Sequence, residues 1–347
     1  MFTKHNINLI KIPLLLCIMS LFALCKKGER EKPDISNIDV NIEIQRFEQD
    51  LFAIDTTNFE QGVKELRAKY PQFIECFVEE MLRMGTVSDT TTEYIESLRL
   101  FATNEGVRNS YDSTMAQYGR VGDIQDDLKE AFRYSKYYFP ELPIPKIITY
   151  TSDYSYGAVS CGDSVMAIGL DLFLGSHYSL YPGLGIPAFI QHRFQKEYIV
   201  PSLMKSYAYN FFGDIPLQKT LLAQMIHNGK ILYYLDLVLT DTPDKLKIGF
   251  TENQLKWLKN NEGEVWAYFL GENILYSTSR QAYNRFVTDG PGTPGMPMEA
   301  PGNTGSWVGW QIVREFMKQN PEVSIQELIK DQNAQRILEK SGYKPRR

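Results

Sequence analysis

Histidine is scarce in this 347-residue sequence. The chain has only four: His5, His177, His192 and His227. A zinc peptidase of the His-Glu-x-x-His type needs two imidazoles on one helix face beside a glutamate. No pair of the four histidines has that spacing. We therefore interpret each as a structural or surface residue, and we expect the protein to use no metal and no other cofactor.

Other signatures of enzymes and of nucleic-acid binding are also missing. The sequence contains no Walker loop and no dinucleotide fingerprint, and residues 305–309 lack the Gly-x-Ser-x-Gly spacing of a nucleophile elbow. The net charge is −5, and no concentrated basic face is visible that could bind phosphates. These absences exclude the commonest hydrolase and nucleotide-binding classes and argue against nucleic acid as a partner.

A less common enzyme remains as an alternative hypothesis. An envelope hydrolase acting on peptide or glycan could use paired carboxylates as acid and base. Such a site would bring Asp171, Glu262, Glu264 and Glu272 together in one cleft, with strongly shifted pKa values. A third hypothesis, a binding protein for an envelope polymer, predicts an open cleft lined by aromatic side chains.

The N-terminus has the layout of a secretory signal. An apolar run at 12–24 follows two lysines and is shorter than the roughly 20 residues that span a bilayer. It ends at Cys25 in the sequence Phe-Ala-Leu-Cys, which resembles a relaxed lipobox, although Leu24 departs from the small residue usual there. Cys17 is a rival acylation site but lies inside the apolar run.

We therefore predict three segments. Residues 1–25 form a lipoprotein signal peptide, 26–37 a charged tether, and 38–347 a single domain. Acyl chains such as palmitate on Cys25 would anchor the protein to a membrane. The lysines at 26 and 27 replace the acidic residues that surface-exported lipoproteins tend to carry there, which favours a periplasm-facing location.

Two further cysteines, Cys76 and Cys161, lie in the predicted domain. In an oxidising compartment they could form one disulfide. We favour two independent buried cysteines, because free cysteine often behaves as a small core residue.

The pattern along the chain predicts an α+β fold, with a small antiparallel sheet followed by a mostly helical half. Apolar residues alternate with polar ones from Ile38 to Ile44, which predicts a strand. Strand-like runs follow at 146–151, 156–161 and 164–170, and Gly162-Asp163 indicates a hairpin between the last two. Helices are predicted at 59–69, 92–102, 124–138, 187–196, 201–211, 217–239, 252–260 and 264–276, and after the capping box at 324–327. The Pro/Gly-rich segment 290–302 is predicted to be a functional or disordered loop.

Several segments in consistent order resemble the gliding-motility lipoprotein B (GldB-like) family of Bacteroidetes. They are Lys136–Pro140, Thr220–Asp236, Trp266–Phe269, Leu275–Ser277, Gly305–Val313 and Ser341–Pro345. The resemblance covers about Ile38 to Lys344. It implies a lipid-anchored envelope component required for gliding, which docks to other motility or secretion proteins and is not an enzyme.

That family is in turn similar to putative zinc peptidases, in which a helix carries a ligating glutamate before a glycine. Gly229 matches this glycine, and Asn228 occupies the ligand position. The resemblance thus implies a degenerate zincin-like scaffold that lacks its metal ligands. Trp307 and Trp310 are candidates for a partner-binding surface, since aromatics are enriched at binding hot spots, or for the core, where large aromatics are commoner.

Overall fold

The computed structural model describes residues 32–345, apart from 89–91, 214–215, 217–218 and 273. The chain from Ile35 onward forms one compact unit. The strands are β1 (Ile44–Arg46), β2 (Lys146–Tyr150), β3 (Ala158–Cys161) and β4 (Val165–Gly169). The α-helices before β2 are α1 (Phe47–Phe52), α2 (Phe59–Lys69), α3 (Pro71–Glu75), α4 (Glu93–Thr103), α5 (Glu105–Tyr118) and α6 (Gly122–Tyr138). Those after β4 are α7 (Ala188–Gln191), α8 (Ile199–Phe212), α9 (Leu221–Val238), α10 (Asp244–Ile248), α11 (Glu252–Asn260), α12 (Glu262–Gly271), α13 (Arg280–Val287), α14 (Thr304–Gln319), α15 (Ile325–Lys330) and α16 (Ala334–Ser341).

The predicted α+β class is confirmed, but the sheet is mixed rather than antiparallel. Its strand order is β1-β2-β4-β3. The pairs β1/β2 and β2/β4 are parallel, and only the predicted hairpin β3/β4 is antiparallel. The described chain between β1 and β2 contains the α-helices α1–α6, and a connection of this length permits parallel pairing, whereas a tight turn enforces the antiparallel arrangement.

Helix prediction succeeded where the apolar face was clear. Helices α2 and α11 have the predicted bounds, and the predicted capping box of α15 forms between Ser324 and Glu327. The helix predicted at 187–196 shrinks to Ala188–Gln191, and the strand predicted from Ile38 begins only at Ile44. Burial still alternates along 38–44, so the segment packs like a strand although none of the described strands pairs with residues 38–43.

The two faces of the sheet bound separate hydrophobic cores. Ile148, Tyr150 and Ala167 face a smaller core built with α1–α5. Ile147, Met166 and Ile168 face a larger core built with α6, α8, α9 and α14. Alternation of side chains along the strands therefore divides the buried residues between two layers of helices.

A disulfide joins Cys76 to Cys161, which are 85 residues apart. The prediction of two independent cysteines was therefore wrong. A π-helical turn at Cys76–Met81 follows α3, and Cys161 ends β3, so both side chains enter the smaller core at the same place. This proximity depends on the packing of α3 against the sheet, which the local sequence does not encode.

Helices α9 and α14 meet through bare backbone at the centre of the larger core. A Cβ on Gly229 would lie 2.4 Å from the carbonyl oxygen of Gly309, and a Cβ on Gly309 would lie 1.8 Å from that of Met225. The glycine in the middle of α9 therefore serves a close helix contact, which compensates for its poor helix propensity.

The Pro/Gly-rich segment 290–302 contains neither helix nor strand but is tied to the start of α14. The Thr293 hydroxyl donates to the Pro301 carbonyl at 2.5 Å and lies 3.0 Å from the Thr304 hydroxyl. Ala300 is buried, and Met296 packs against the larger core. The segment thus forms part of the wall around the N-terminus of α14.

Candidate binding groove

A groove of about 470 Å³ runs between α8, the start of β3 and the segment that follows α7. We call it the α8 groove. Its walls include Gly157, Ala158, Leu172, Phe173, Ile190, Arg193, Phe194, Tyr198, Ile248, Gly249 and Asp289, and its floor comes from α8. Its volume lies within the range typical of ligand pockets, about 300–1,000 Å³.

The floor of the groove is a polar stripe on an otherwise buried helix. Ser202, Lys205, Ser206 and Tyr209 line the groove. Their spacing of three and four residues places them on one helix face. The opposite face packs in the larger core and comprises Ile199, Leu203, Met204, Tyr207 and Ala208. Helix α8 thus presents hydroxyl groups and one ammonium group to the cavity.

The rim of the groove is fixed by an arginine–aspartate pair. Arg193 donates to both oxygens of Asp289, at 2.5 and 3.0 Å, and to the Gly249 carbonyl at 2.7 Å. Burial opposes the charged form of Asp289, but the hydrogen bonds and charge of Arg193 outweigh it and lower the pKa of that carboxyl. In this bidentate pair the charge of Asp289 is balanced by Arg193, so the carboxylate is not a free anion in the groove.

Lys205 is the unsatisfied charge of the groove. Within the described residues, its ammonium forms no hydrogen bond or ion pair, although Asp289 is near enough to interact with it through space. Burial lowers the pKa of Lys205, and the attraction of Asp289 only partly offsets this effect. Lys205 is only partly exposed, so its ammonium loses part of its hydration without gaining a partner, and an incoming anion would compensate for this loss.

A second cavity of about 340 Å³ adjoins the groove and shares Lys205, Tyr209 and Asp289 with it. Asn228 lies in its wall, where its amide donates to the Ser306 hydroxyl at 2.7 Å and to the Val287 carbonyl at 3.2 Å. The Tyr209 hydroxyl donates to the side-chain oxygen Oδ1 of Asn228 at 3.3 Å. The Asn228 side chain therefore links α9 to α8, to the end of α13 and to α14.

Asn303 completes this cavity at the start of α14. Its backbone is left-handed, with a φ of 63°, and its amide donates to Asp289 at 3.3 Å. Its buried side-chain oxygen has no hydrogen-bond partner in the part of the chain that the structure describes. Asparagine tolerates this conformation better than most residues, so the position combines backbone strain with an unsatisfied acceptor.

Trp307 and Trp310 do not line this cavity or any open surface. Both are almost fully buried, at 2% and 0% exposure, and their rings meet edge to face. The partner surface predicted at these two residues is therefore wrong, and the core alternative is correct. Both lie in α14, which packs along α9, so the larger core covers both indoles.

The Trp310 indole nitrogen donates to Asp236 at 2.9 Å, in a partly buried charge network toward the C-terminal ends of α9 and α14. Arg314 donates to both oxygens of Asp236, each at 2.7 Å, and stacks over the Trp310 ring. Lys247 adds an ion pair to Asp236 at 3.0 Å, and Asp244 pairs with Arg314 at 2.8 Å. The network explains structurally why a tryptophan and an aspartate occur in these two helices.

The four carboxylates of the hydrolase hypothesis do not form one cleft. Asp171 is fully buried and accepts hydrogen bonds from the backbone N–H groups of Ser152 and Tyr154, whereas Glu264 and Glu272 are exposed on α12 or at its end. Glu262 accepts from the Tyr343 hydroxyl at 2.7 Å. The convergence predicted for these residues was therefore wrong, because Asp171 is buried after β4, whereas the three glutamates lie on α12 or directly after it, two of them exposed to solvent.

The histidines are also dispersed. His192 lies 3.1 Å from the Gly249 carbonyl at the rim of the α8 groove, His177 is exposed, and His227 packs near Tyr209. Burial lowers the pKa of His192. Among the described residues, no three His, Cys, Asp or Glu side chains are grouped so that they could hold a metal ion.

The family model described as gliding motility protein GldB matches residues 28–345. The chain belongs to this family. Membership in the GldB family suggests a role in gliding motility, a place in the cell envelope and other motility proteins as partners. No curated protein and no solved structure matches the chain.

Cys25 and the predicted signal peptide at 1–25 lie outside the described residues. Within the part of the chain that the structure does describe, none of the helices combines the length and hydropathy needed to cross a bilayer.

Proposed function

We propose that this protein is a lipid-anchored, non-catalytic component of the cell envelope that serves gliding by docking to other motility or secretion proteins. The observation that carries the proposal is the GldB family match, which extends over residues 28–345. The match begins just after Cys25, where the mature chain would begin if that cysteine were acylated.

The surroundings of residue 228 support the absence of catalysis. Resemblance to zinc peptidases would place a metal ligand there, but the side chain is an asparagine whose amide bonds to Ser306 and Val287. The charged residues nearby are Lys205, Arg193 and Asp289, a set that suits binding of a charged group. We therefore assign the cavity to recognition.

The motility role is tested by colony spreading of a clean deletion strain. We expect lost spreading at a normal growth rate, and rescue by the wild-type gene on a plasmid. Normal spreading of the deletion strain would overturn the proposed function.

The anchor is tested by Cys25→Ser with Cys17→Ser as its matched control. We expect labelled palmitate to enter the wild type and the Cys17→Ser variant but not the Cys25→Ser variant. The unlabelled variant should also leave the membrane fraction. If Cys17→Ser abolishes labelling and Cys25→Ser does not, Cys17 is the acylated residue. If even the wild type is not labelled, the lipid anchor is removed from the proposal.

A further inference from the structure

We propose that the α8 groove binds an extended peptide segment of a partner protein, with the segment's backbone paired to β3 and a carboxylate on it bound to Lys205. This inference rests on the proposed function, since it specifies how docking would occur. It is carried by three features of the groove: a free strand edge, an unpaired cation and an apolar wall.

The free edge belongs to β3. In the strand order β1-β2-β4-β3, only β4 pairs with it among the described strands. The N–H of Gly169 donates to the carbonyl of Gly157, so this pair is hydrogen bonded, and antiparallel alternation turns the N–H and C=O groups of Ala158 and Ser160 away from β4. Ala158 lines the groove. The backbone groups available to an incoming strand therefore begin where the groove begins.

Helix α8 is held alongside this edge. At its C-terminal end, the Asn210 amide donates to Asp163, in the turn between β3 and β4, at 3.1 Å. A segment paired with β3 would therefore lie beside the polar stripe of α8. Addition of a strand to an exposed sheet edge supplies main-chain hydrogen bonds, and pockets for alternate side chains supply specificity.

Lys205 sets the chemistry of the occupant. The other cations that line the groove, Arg193 and Lys247, are already paired with Asp289 and Asp236 respectively. Lys205 alone among them lacks a partner within the described chain, and the hydroxyls of Ser202 and Ser206 flank it on the same helix face. A carboxylate, from an acidic side chain or a chain end, complements this arrangement.

The wall opposite α8 accommodates apolar side chains. It is lined by Phe173, Ile190, Phe194 and Ile248. Phe173 follows β4, and Ile190 belongs to α7. In an extended segment, successive side chains point to opposite sides. One set can therefore face this wall while the other faces the serines and lysine of α8.

The experiment selects peptides on the purified chain without its signal peptide, from a phage-displayed library of random dodecapeptides. Enriched sequences are synthesised with a fluorescent label, and binding is measured by fluorescence anisotropy. We expect enrichment of an acidic residue at one position within a β-branched or aromatic context. Replacing that acid by its amide should weaken binding roughly tenfold or more, the loss typical of one hydrogen bond to a charged group.

Two variants separate the two contacts. Lys205→Met keeps the aliphatic stem but removes the charge, and Ala158→Pro removes an outward N–H at an edge position where proline is tolerated. Each should weaken peptide binding about tenfold or more. Lys256→Met, on an exposed face of α11, is the matched control and should bind like the wild type.

Failure to enrich any peptide, or equal binding by wild type, Lys205→Met and Ala158→Pro, would overturn the inference. Lys205-dependent binding to phosphatidylglycerol vesicles without peptide binding would also overturn it, since the groove would then recognise a headgroup. Peptide binding by the purified protein is independent of the spreading assay. A strain that spreads normally despite the deletion would therefore reject the motility role and leave the groove assignment intact.

Discussion

On one face of the sheet, aromatic rings fill the core by meeting edge to face; on the other, two helices touch through their backbones. Phe47 packs against Tyr70, Phe73 and Phe77 with ring centroids 4.8–5.2 Å apart. In the larger core, the corresponding central contact is between Gly229 and Gly309. Rings can tilt to accommodate change, whereas backbone atoms in two long helices cannot, so the two halves should differ in tolerance to substitution.

The two cores also differ in what closes them. The smaller core, which is rich in aromatic rings, is cross-linked by the disulfide from Cys76 to Cys161. The larger core contains the charge network around Asp236 instead. The α8 groove lies on the helical side. We therefore expect the groove to depend on the glycine contact and on the charge network more than on the disulfide.

The largest effect should come from Gly309→Ala, because its new methyl group would lie 1.8 Å from the Met225 carbonyl oxygen. Overpacking usually costs about 1–3 kcal/mol, and we expect a loss of unfolding free energy above that range in urea titrations followed by circular dichroism. Gly271→Ala in α12 meets nothing within 4 Å and should be neutral or stabilising by up to about 1 kcal/mol. A Gly309→Ala protein as stable as the wild type would show that the helix contact is loose.

Next in size is the double variant Cys76→Ala/Cys161→Ala. A native disulfide typically contributes about 2–4 kcal/mol, and the 85-residue separation favours the upper part of that range. The same urea titration should show this loss, and a reductant should destabilise the wild type similarly without affecting the double variant. If the reductant affects both proteins equally, the bond does not stabilise the aromatic core.

Asp236→Ala should cost about 3 kcal/mol, the low end for breaking a buried ion pair, since its carboxylate is 16% exposed. The loss leaves Arg314 and Lys247 without their shared anion and removes the acceptor of the Trp310 indole. Tryptophan fluorescence during urea unfolding measures it directly. Glu60→Ala, which breaks an exposed pair with Lys64, should change the unfolding free energy far less, and equal losses for the two variants would contradict the importance of the network.

The smallest effect is a change of pH dependence in Asp171→Asn. Burial raises the pKa of Asp171 from the usual 3.8 to about 7. The folded protein therefore binds this proton more tightly than the unfolded chain, so its contribution to stability declines as pH rises from about 4 to 7 and levels off above. Asparagine still accepts from the N–H groups of Ser152 and Tyr154 but does not titrate.

Urea unfolding at pH 5.0 and 7.5 should thus show a larger loss with rising pH for the wild type than for Asp171→Asn. Subtracting the variant removes the contributions of other titrating groups, such as the buried Glu48. Parallel pH profiles for the two proteins would mean that Asp171 is already ionised in the folded state at pH 5.0.

The sequence was most informative where a pattern is local. Helix α11 could be predicted from its spacing and from the residues around Thr251 and Gln254, which form a capping box. Segment 187–196 was predicted as one helix because Ile190 and Phe194 have helical spacing. In the structure the helix ends at Gln191, and both side chains line the groove. The parallel pairing of β1 and the disulfide depend on contacts between distant segments, for which one sequence carries no local signal.

The groove itself was not predicted. Arg193, Lys205 and Asp289 come from three separate segments and form no recognisable motif. The one available signal was the spacing of Ser202, Lys205, Ser206 and Tyr209 along an otherwise apolar helix. Such a polar stripe is ambiguous, since most polar helix faces are simply hydrated.

The disulfide has a consequence for the solubility of the protein when it has no partner. An exposed strand edge is a template on which further copies can add, and edges that slip in register are prone to aggregation. Here the disulfide fixes the end of β3 to the π-helical turn that follows α3, and the strand is only four residues long. A short strand that is fixed at one end is a poor template for the addition of identical chains. We therefore expect the protein to remain soluble without a partner although this edge is exposed.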